Sequence, residues 1–218
     1  FKLDNIPEFN DGLMVYALGY KQLTLNDIKW SRHTTPENAL DIEVERGLTV
    51  SGRVLDSANR PVSSGLVELK QDAHRDRAML ESSGRFELTE AAPGPGVLVH
   101  KSSRSKDWSS QYTELMMGVD IPEAGQDDLL LEYATGVEIN GMVAVNDVPM
   151  AEVSVTLMPL GGTRTGETIM YVRTETDAQG MYRLKGIIPG RYRLSSMTFT
   201  QEVTGGGSDL TVPVEIEN

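Results

Sequence analysis

Gly52 and Gly141 stand 89 positions apart inside the same phrase. One copy opens Ser51-Gly-Arg-Val and runs on to Asn59-Arg-Pro-Val; the other opens Asn140-Gly-Met-Val and runs on to Asp147-Val-Pro-Met. Each continues through an apolar alternating stretch to a glycine turn, Ser83-Gly-Arg-Phe-Glu-Leu and Gln179-Gly-Met-Tyr-Arg-Leu. Each then reaches a proline-glycine turn, Pro93-Gly-Pro-Gly-Val and Ile188-Pro-Gly-Arg-Tyr. Gly84 and Gly180 lie 96 apart, a difference that insertions in surface loops would produce. A repeat of this period fixes the organisation as small modules in tandem.

The 218 residues divide accordingly. Residues 48–136 and 137–218 each read as a complete module, and residues 1–47 as the back half of another. Phe1-Lys-Leu-Asp-Asn-Ile-Pro matches Tyr182-Arg-Leu-Lys-Gly-Ile-Ile-Pro, one residue shorter, and Ala39-Leu-Asp-Ile-Glu-Val-Glu alternates as a half-buried strand does. The front half of that first module is missing. The start at Phe1, without Met and inside a strand pattern, reads as a piece of a longer or processed protein. Open strands in the half module need completing, either by lost residues or by another subunit as in donor-strand assembly. The last module shows no spare strand to donate.

Period-two alternation recurs throughout. In the middle module it marks Thr49–Leu55, Gly65–Lys70, Phe86–Leu88, Val97–His100 and Leu129–Tyr133. In the last it marks Val153–Leu157, Ile169–Thr176 and Leu210–Ile216, with Tyr182 and Leu184 expected to pair with Tyr192 and Leu194. Asp72–Arg77 reads as a charged connector, and Ser110–Met117 fits helix or strand equally. No amphipathic helix is evident beyond one possible turn at Thr35–Ala39. Seven short strands per module, with turn signals about every ten residues, predict all-β tandem seven-stranded sandwiches preceded by a partial one.

Charge and composition exclude several functions. A net charge of −12 disfavours nucleic acid and anionic membranes, whose phosphates need a basic face. The absence of cysteine removes disulfides, thiolate catalysis and cysteine zinc sites. No apolar run reaches the roughly 18 residues of a membrane-spanning helix.

The motif V-x-G-x-V…P-V…T-x-x-D-x-x-G-x-[FY]-x-L…[IL]-x-P-G-x-Y-x-L resembles the carboxypeptidase regulatory-like domain, a transthyretin-like (prealbumin-type) sandwich. Val137–Leu194 carries it best, with Thr174-Glu-Thr-Asp-Ala-Gln-Gly-Met-Tyr-Arg-Leu and Ile188-Pro-Gly-Arg-Tyr-Arg-Leu. The middle module departs from it, with Glu81-Ser-Ser-Gly at the acidic turn. The resemblance implies a non-catalytic accessory role, on bacterial envelope or secreted proteins or beside catalytic domains. A related group of surface domains makes Lys–Asn isopeptide bonds. The first strands here hold no lysine and the last strands no asparagine, so that chemistry is not expected.

Candidate sites are few. His33, His74 and His100 are dispersed, with no zinc-binding spacing. Gly161-Gly-Thr-Arg-Thr-Gly lacks the Lys-Ser/Thr ending of a phosphate loop and reads as a hairpin loop. Gly205-Gly-Gly is a bend. No cofactor is expected. Calcium is the one ion the acidic loops Asp120–Asp128 and Asp177–Gly180 suggest, although Asp177 suits a turn that binds its own backbone. The basic, aromatic loop with Arg104, Lys106 and Trp108 is the leading binding candidate, and Trp30 beside Lys29 and Arg32 is a second. Tryptophan on such loops stacks on sugars or anchors protein partners.

The expected function is therefore structural: a spacer or assembly segment stacked in line, secreted or on the cell envelope, with other protein domains or subunits as partners. The alternatives are carbohydrate or protein recognition through Trp108 or Trp30, and an accessory segment of an enzyme whose catalytic domain lies elsewhere.

Overall fold

The computed structural model describes residues 12–26, 28, 40–72, 74–102, 111–197 and 210–216, and among them every regular element is a strand. A short pair, β1 (Leu13–Val15) and β2 (Leu23–Leu25), comes first. The middle module follows: β3 (Leu48–Leu55), β4 (Leu66–Gln71), β5 (His74–Met79), β6 (Arg85–Ala91), β7 (Gly94–Lys101), β8 (Tyr112–Ile121) and β9 (Gln126–Glu132). The rest of the chain forms β10 (Val137–Met142), β11 (Ala144–Val145), β12 (Val148–Pro149), β13 (Ser154–Pro159), β14 (Thr168–Glu175), β15 (Met181–Ile187), β16 (Gly190–Met197) and β17 (Leu210–Ile216).

In the middle module β6-β3-β9 face β5-β4-β7-β8. This is a prealbumin-type sandwich, in which the closing strand β9 lies parallel to the opening strand β3. The alternation decides which side chains enter. Val50, Val54, Phe86, Leu88 and Leu131 point in from one sheet, and Val67, Leu69, Leu98 and Val119 from the other. Burying such side chains contributes about 1.5–3 kcal/mol each, and this is what holds two sheets face to face.

The later strands repeat the plan. β10 pairs with β15, while β13 takes β14 on one side and β16 on the other, with β17 beyond β16. Pro213 sits in β17, an edge strand, where a missing N–H is tolerated. Between β11 and β12, Asn146 and Asp147 both have positive φ (50° and 64°), the geometry of a tight two-residue hairpin. The acidic turns are equivalent. Gly84 N–H donates to the Glu81 carbonyl and Gly180 N–H to that of Asp177, with φ near +70° at both glycines. Asp177 Oδ1 also accepts from Gln179 and Met181 N–H at 2.9 Å, so it serves its own turn.

Three expectations are corrected. Asp72–Arg77 is no connector, since His74–Met79 is edge strand β5. Its charges are compatible with a strand because Arg77 reaches a carboxylate on β4 and the Asp76 carboxylate accepts the Glu90 N–H at 2.7 Å. Tyr182 and Leu184 do not pair with Tyr192 and Leu194, because β15 and β16 belong to opposite sheets. The four residues meet in the interior instead, where the Tyr192 hydroxyl donates to the Ile188 carbonyl and burial pushes its pKa up to about 12. Nor are the sandwiches joined only end to end. β8 pairs antiparallel with β14, so their four-stranded sheets fuse into one of eight, β17-β16-β13-β14-β8-β7-β4-β5. Of the ambiguous Ser110–Met117 stretch, Tyr112–Met117 forms the start of β8.

Candidate interaction site

The fused sheet places its junction at β8 and β14. The register runs from Thr168↔Met117 to Arg173↔Tyr112, six opposed pairs. Leu115 opposes Met170, and both are buried in the shared core cluster, with Val172 fully buried beside them. The junction is thus continuous with the interior and is not a wetted contact between surfaces. On the same ladder Tyr112 and Tyr171 make an edge-to-face ring contact at 6.4 Å, and the Tyr112 hydroxyl donates to Glu114.

Two further contacts lock the junction at its ends. The Gln111 side-chain amide donates to the Lys185 carbonyl at 2.8 Å and accepts the Lys185 N–H at 2.6 Å, in the way a strand residue would. At the other end the Gly161–Gly166 loop folds onto β8. Gly166 N–H donates to the Gly118 carbonyl at 2.8 Å, Gly118 N–H to the Glu167 carbonyl at 3.1 Å, and Thr165 bridges Gly118 in parallel. A Cβ at Gly118 would fall on the Arg164 carbonyl oxygen. The supposed phosphate-loop look-alike is therefore a docking loop for the neighbouring sandwich. An open cleft beside the junction is lined by Gln111, Asn140, Glu152, Thr174, Tyr182 and Lys185 among others.

Two buried polar groups elsewhere, Glu68 and His100, are matched to neighbours. Glu68, on the outer face of β4, accepts Arg77 Nε at 2.9 Å and Lys101 Nζ at 2.6 Å. Burial raises its pKa, but the two cations outweigh that and hold the carboxyl below its usual range. The carboxylate is covered chiefly by its own partners, whose side chains remain part exposed. His100 is buried on β7. Its Nδ1 lies 2.6 Å from the Tyr133 hydroxyl and its Nε2 3.3 Å from the Ser64 carbonyl, which fits a neutral ring with Nε2–H donating. Burial lowers the His100 pKa and raises that of Tyr133. His74 is buried at the start of β5 without a hydrogen-bond partner on either ring nitrogen.

Of the residues singled out from sequence, Arg104, Lys106, Trp108, Trp30, His33 and Gly205–Gly207 lie outside the described residues. Lys101, at the start of the basic loop, belongs to the Glu68 cluster. Gln111, Gly118, Leu115 and Met170 escaped sequence reasoning. One signal was available: Leu115-Met-Met is an apolar run without alternation, which suits a strand flanked on both sides. Among the described residues no group of three or more His, Asp or Glu side chains is placed to hold a metal ion.

No family model matches the chain, and no curated protein does. Solved structures with some likeness include the Bacillus anthracis TIE protein at 14% identity and TM-score 0.29, covering 80% of this chain and 32% of that one. Another is a streptococcal ancillary pilin at 10% identity and TM-score 0.28, covering 93% and 70%. A third is GBS52, the minor pilin of Streptococcus agalactiae, at 13% identity and TM-score 0.31, covering 78% and 91%. The chain spans less than a third of the TIE protein chain. The class of the present protein is read from its strands: tandem prealbumin-type β-sandwiches sharing one sheet.

Proposed function

We propose that the chain is a non-catalytic structural segment that holds flanking protein domains at a fixed spacing and orientation. The fused eight-stranded sheet carries this reading. Two sandwiches tied by six backbone pairs, a buried Leu115–Met170 contact and locks at Gln111 and Gly118 behave as one rigid unit. A flexible linker would leave relative motion between domains as the default. The motif resemblance supports placing the modules with the carboxypeptidase regulatory-like domains, and the protein on a bacterial envelope or among secreted proteins. The partners are other protein domains or subunits. The role calls for no cofactor and no chemistry by these side chains.

Rotational diffusion from NMR relaxation tests the reading. A single diffusion tensor shared by amides of β3–β9 and β10–β16 is expected. Two independently tumbling sandwiches would overturn the rigid-spacer role. So would saturable binding of a polysaccharide read by tryptophan fluorescence, which would make recognition the function.

A further inference from the structure

The outer edge of β15, away from β10, is bonded at two places and open between them. Met181 N–H donates to Asp177 Oδ1 at 2.9 Å, and the Met181 carbonyl accepts the Asp177 N–H at 2.9 Å. Lys185 exchanges its two backbone bonds with the Gln111 side chain, at 2.8 and 2.6 Å. Backbone groups two residues apart on a strand point to the same side, so those of Arg183, midway, point outward as well. Neither the Arg183 N–H nor its carbonyl has a partner among the described residues. Arg183, Asp177 and Gln111 all line the cleft beside the junction, so the open pair faces that cleft.

The same edge recurs in the repeat. β6, the counterpart of β15, is likewise outermost in its sheet, and Glu87 stands opposite Ser51 as Arg183 stands opposite Asn140. A cleft lies there too, lined by Glu87 and Thr89 together with Met14, Tyr16 and Leu18 of the first segment. At the equivalent place, therefore, the middle sandwich faces another stretch of polypeptide. The cleft at β15 carries charges of both signs. The Arg183 guanidinium is held by Glu138 and Asn140, each at 3.2 Å. The side chains of Glu152, Glu175 and Lys185, which also line it, make no ion pair or hydrogen bond among the described residues.

We infer that this cleft is a docking groove for an extended peptide segment of a partner protein, one carrying both a carboxylate and a basic side chain. One residue of the segment lies opposite Arg183. Its carbonyl accepts the Arg183 N–H, and its own N–H donates to the Arg183 carbonyl, which continues along β15 what Gln111 begins at Lys185. An unpaired donor and acceptor on an edge strand form a template for such addition, with backbone bonds supplying affinity and side chains specificity. The groove is short. Because Met181 and Lys185 are already bonded, it holds roughly three residues of extended chain. The segment's carboxylate meets Lys185, and its basic side chain meets Glu152 and Glu175. The inference rests on the spacer reading and extends it by placing where a partner's chain is held.

The probe is a blocked tripeptide, acetyl-Lys-Val-Glu-amide, titrated into the full chain and followed by amide NMR and hydrogen exchange. Without peptide the Arg183 amide is expected to exchange faster than those of Met181 and Lys185, and saturating peptide should slow it to their rate. The same peptide with its valine N-methylated lacks the donor and is expected to bind about tenfold more weakly. Lys185→Glu should weaken binding of the parent peptide to a similar degree. Its melting temperature should stay unchanged, because the bonds to Gln111 come from the backbone. An Arg183 amide already protected in the free chain overturns the inference, as does the lack of a saturable shift there. Undiminished binding of the N-methylated peptide, or of the parent peptide by Lys185→Glu, overturns it too. An oligomer of N-acetylglucosamine that saturates the same amides more tightly than the peptide overturns the assignment to a peptide. A single diffusion tensor with no peptide shift removes the groove alone and leaves the spacer reading standing, whereas two independently tumbling sandwiches overturn the spacer reading whatever the peptide does.

Discussion

The Gln111 side chain and the Lys185 backbone exchange two hydrogen bonds, at 2.8 and 2.6 Å, across the boundary between two sandwiches. One amide thus extends the junction beyond the last pair of β8 and β14, Tyr112 opposite Arg173. The Gln111→Leu variant keeps the approximate shape and loses both bonds. Because the backbone groups it frees can rehydrate, the expected loss is modest, about 1 kcal/mol. Urea unfolding should show it, with faster amide exchange at Lys185.

Gly118 is the more severe test of the junction. Its backbone passes so close to Arg164 that any Cβ meets a carbonyl oxygen. Gly118→Val is expected to push the Gly161–Gly166 loop off β8 and to cost about 1–3 kcal/mol, as overpacking does. Calorimetry should then resolve two transitions where the parent shows one. A single transition at the parental temperature would mean that the loop contact contributes nothing.

Acid stability depends on Glu68. Its carboxyl titrates lower in the folded chain than in the unfolded one, because Lys101 and Arg77 outweigh the cost of burial. The unfolded state therefore binds the proton first as pH falls. The stabilisation is fully present above the unfolded value, about 4.5, and is lost as pH drops through the folded one. Glu68→Gln is expected to lower stability at neutral pH by about 1–3 kcal/mol and to flatten the acid limb of a stability–pH curve.

His100 acts in a higher window. Burial lowers its pKa, so the folded state resists protonation that the unfolded state accepts. Stability is complete above about 6.5 and declines as pH falls towards the depressed folded value. His100→Gln should remove the slope just below 6.5, and Glu68→Gln should retain it. Tyr133→Phe leaves Nδ1 without its donor and should cost about 1–3 kcal/mol, measured by urea unfolding near neutral pH.

Much of the sandwich was legible because burial writes itself into side chains at period two. Phe86 and Leu88 are buried and Glu87 exposed, as the alternation requires, and the glycine turns at Gly84 and Gly180 fall where the motif puts them. β5 was missed for a related reason. Its buried positions are His74 and Asp76, polar groups whose inward direction no hydropathy pattern reveals. Asp76 is tolerated there because it accepts the Glu90 N–H, a partner 14 residues away.

The sequence by itself marked most of the strands and the glycine turns at Gly84 and Gly180. Those features depend on which face of a strand is apolar and on where the chain must reverse, and both are local properties of residue order. The tertiary structure alone decided which strand edges meet. Edges bond through backbone N–H and C=O groups, which nearly every residue carries alike, so side-chain order holds no code for them. Only in three dimensions does β8 find β14, with Gln111 and Gly118 closing the seam.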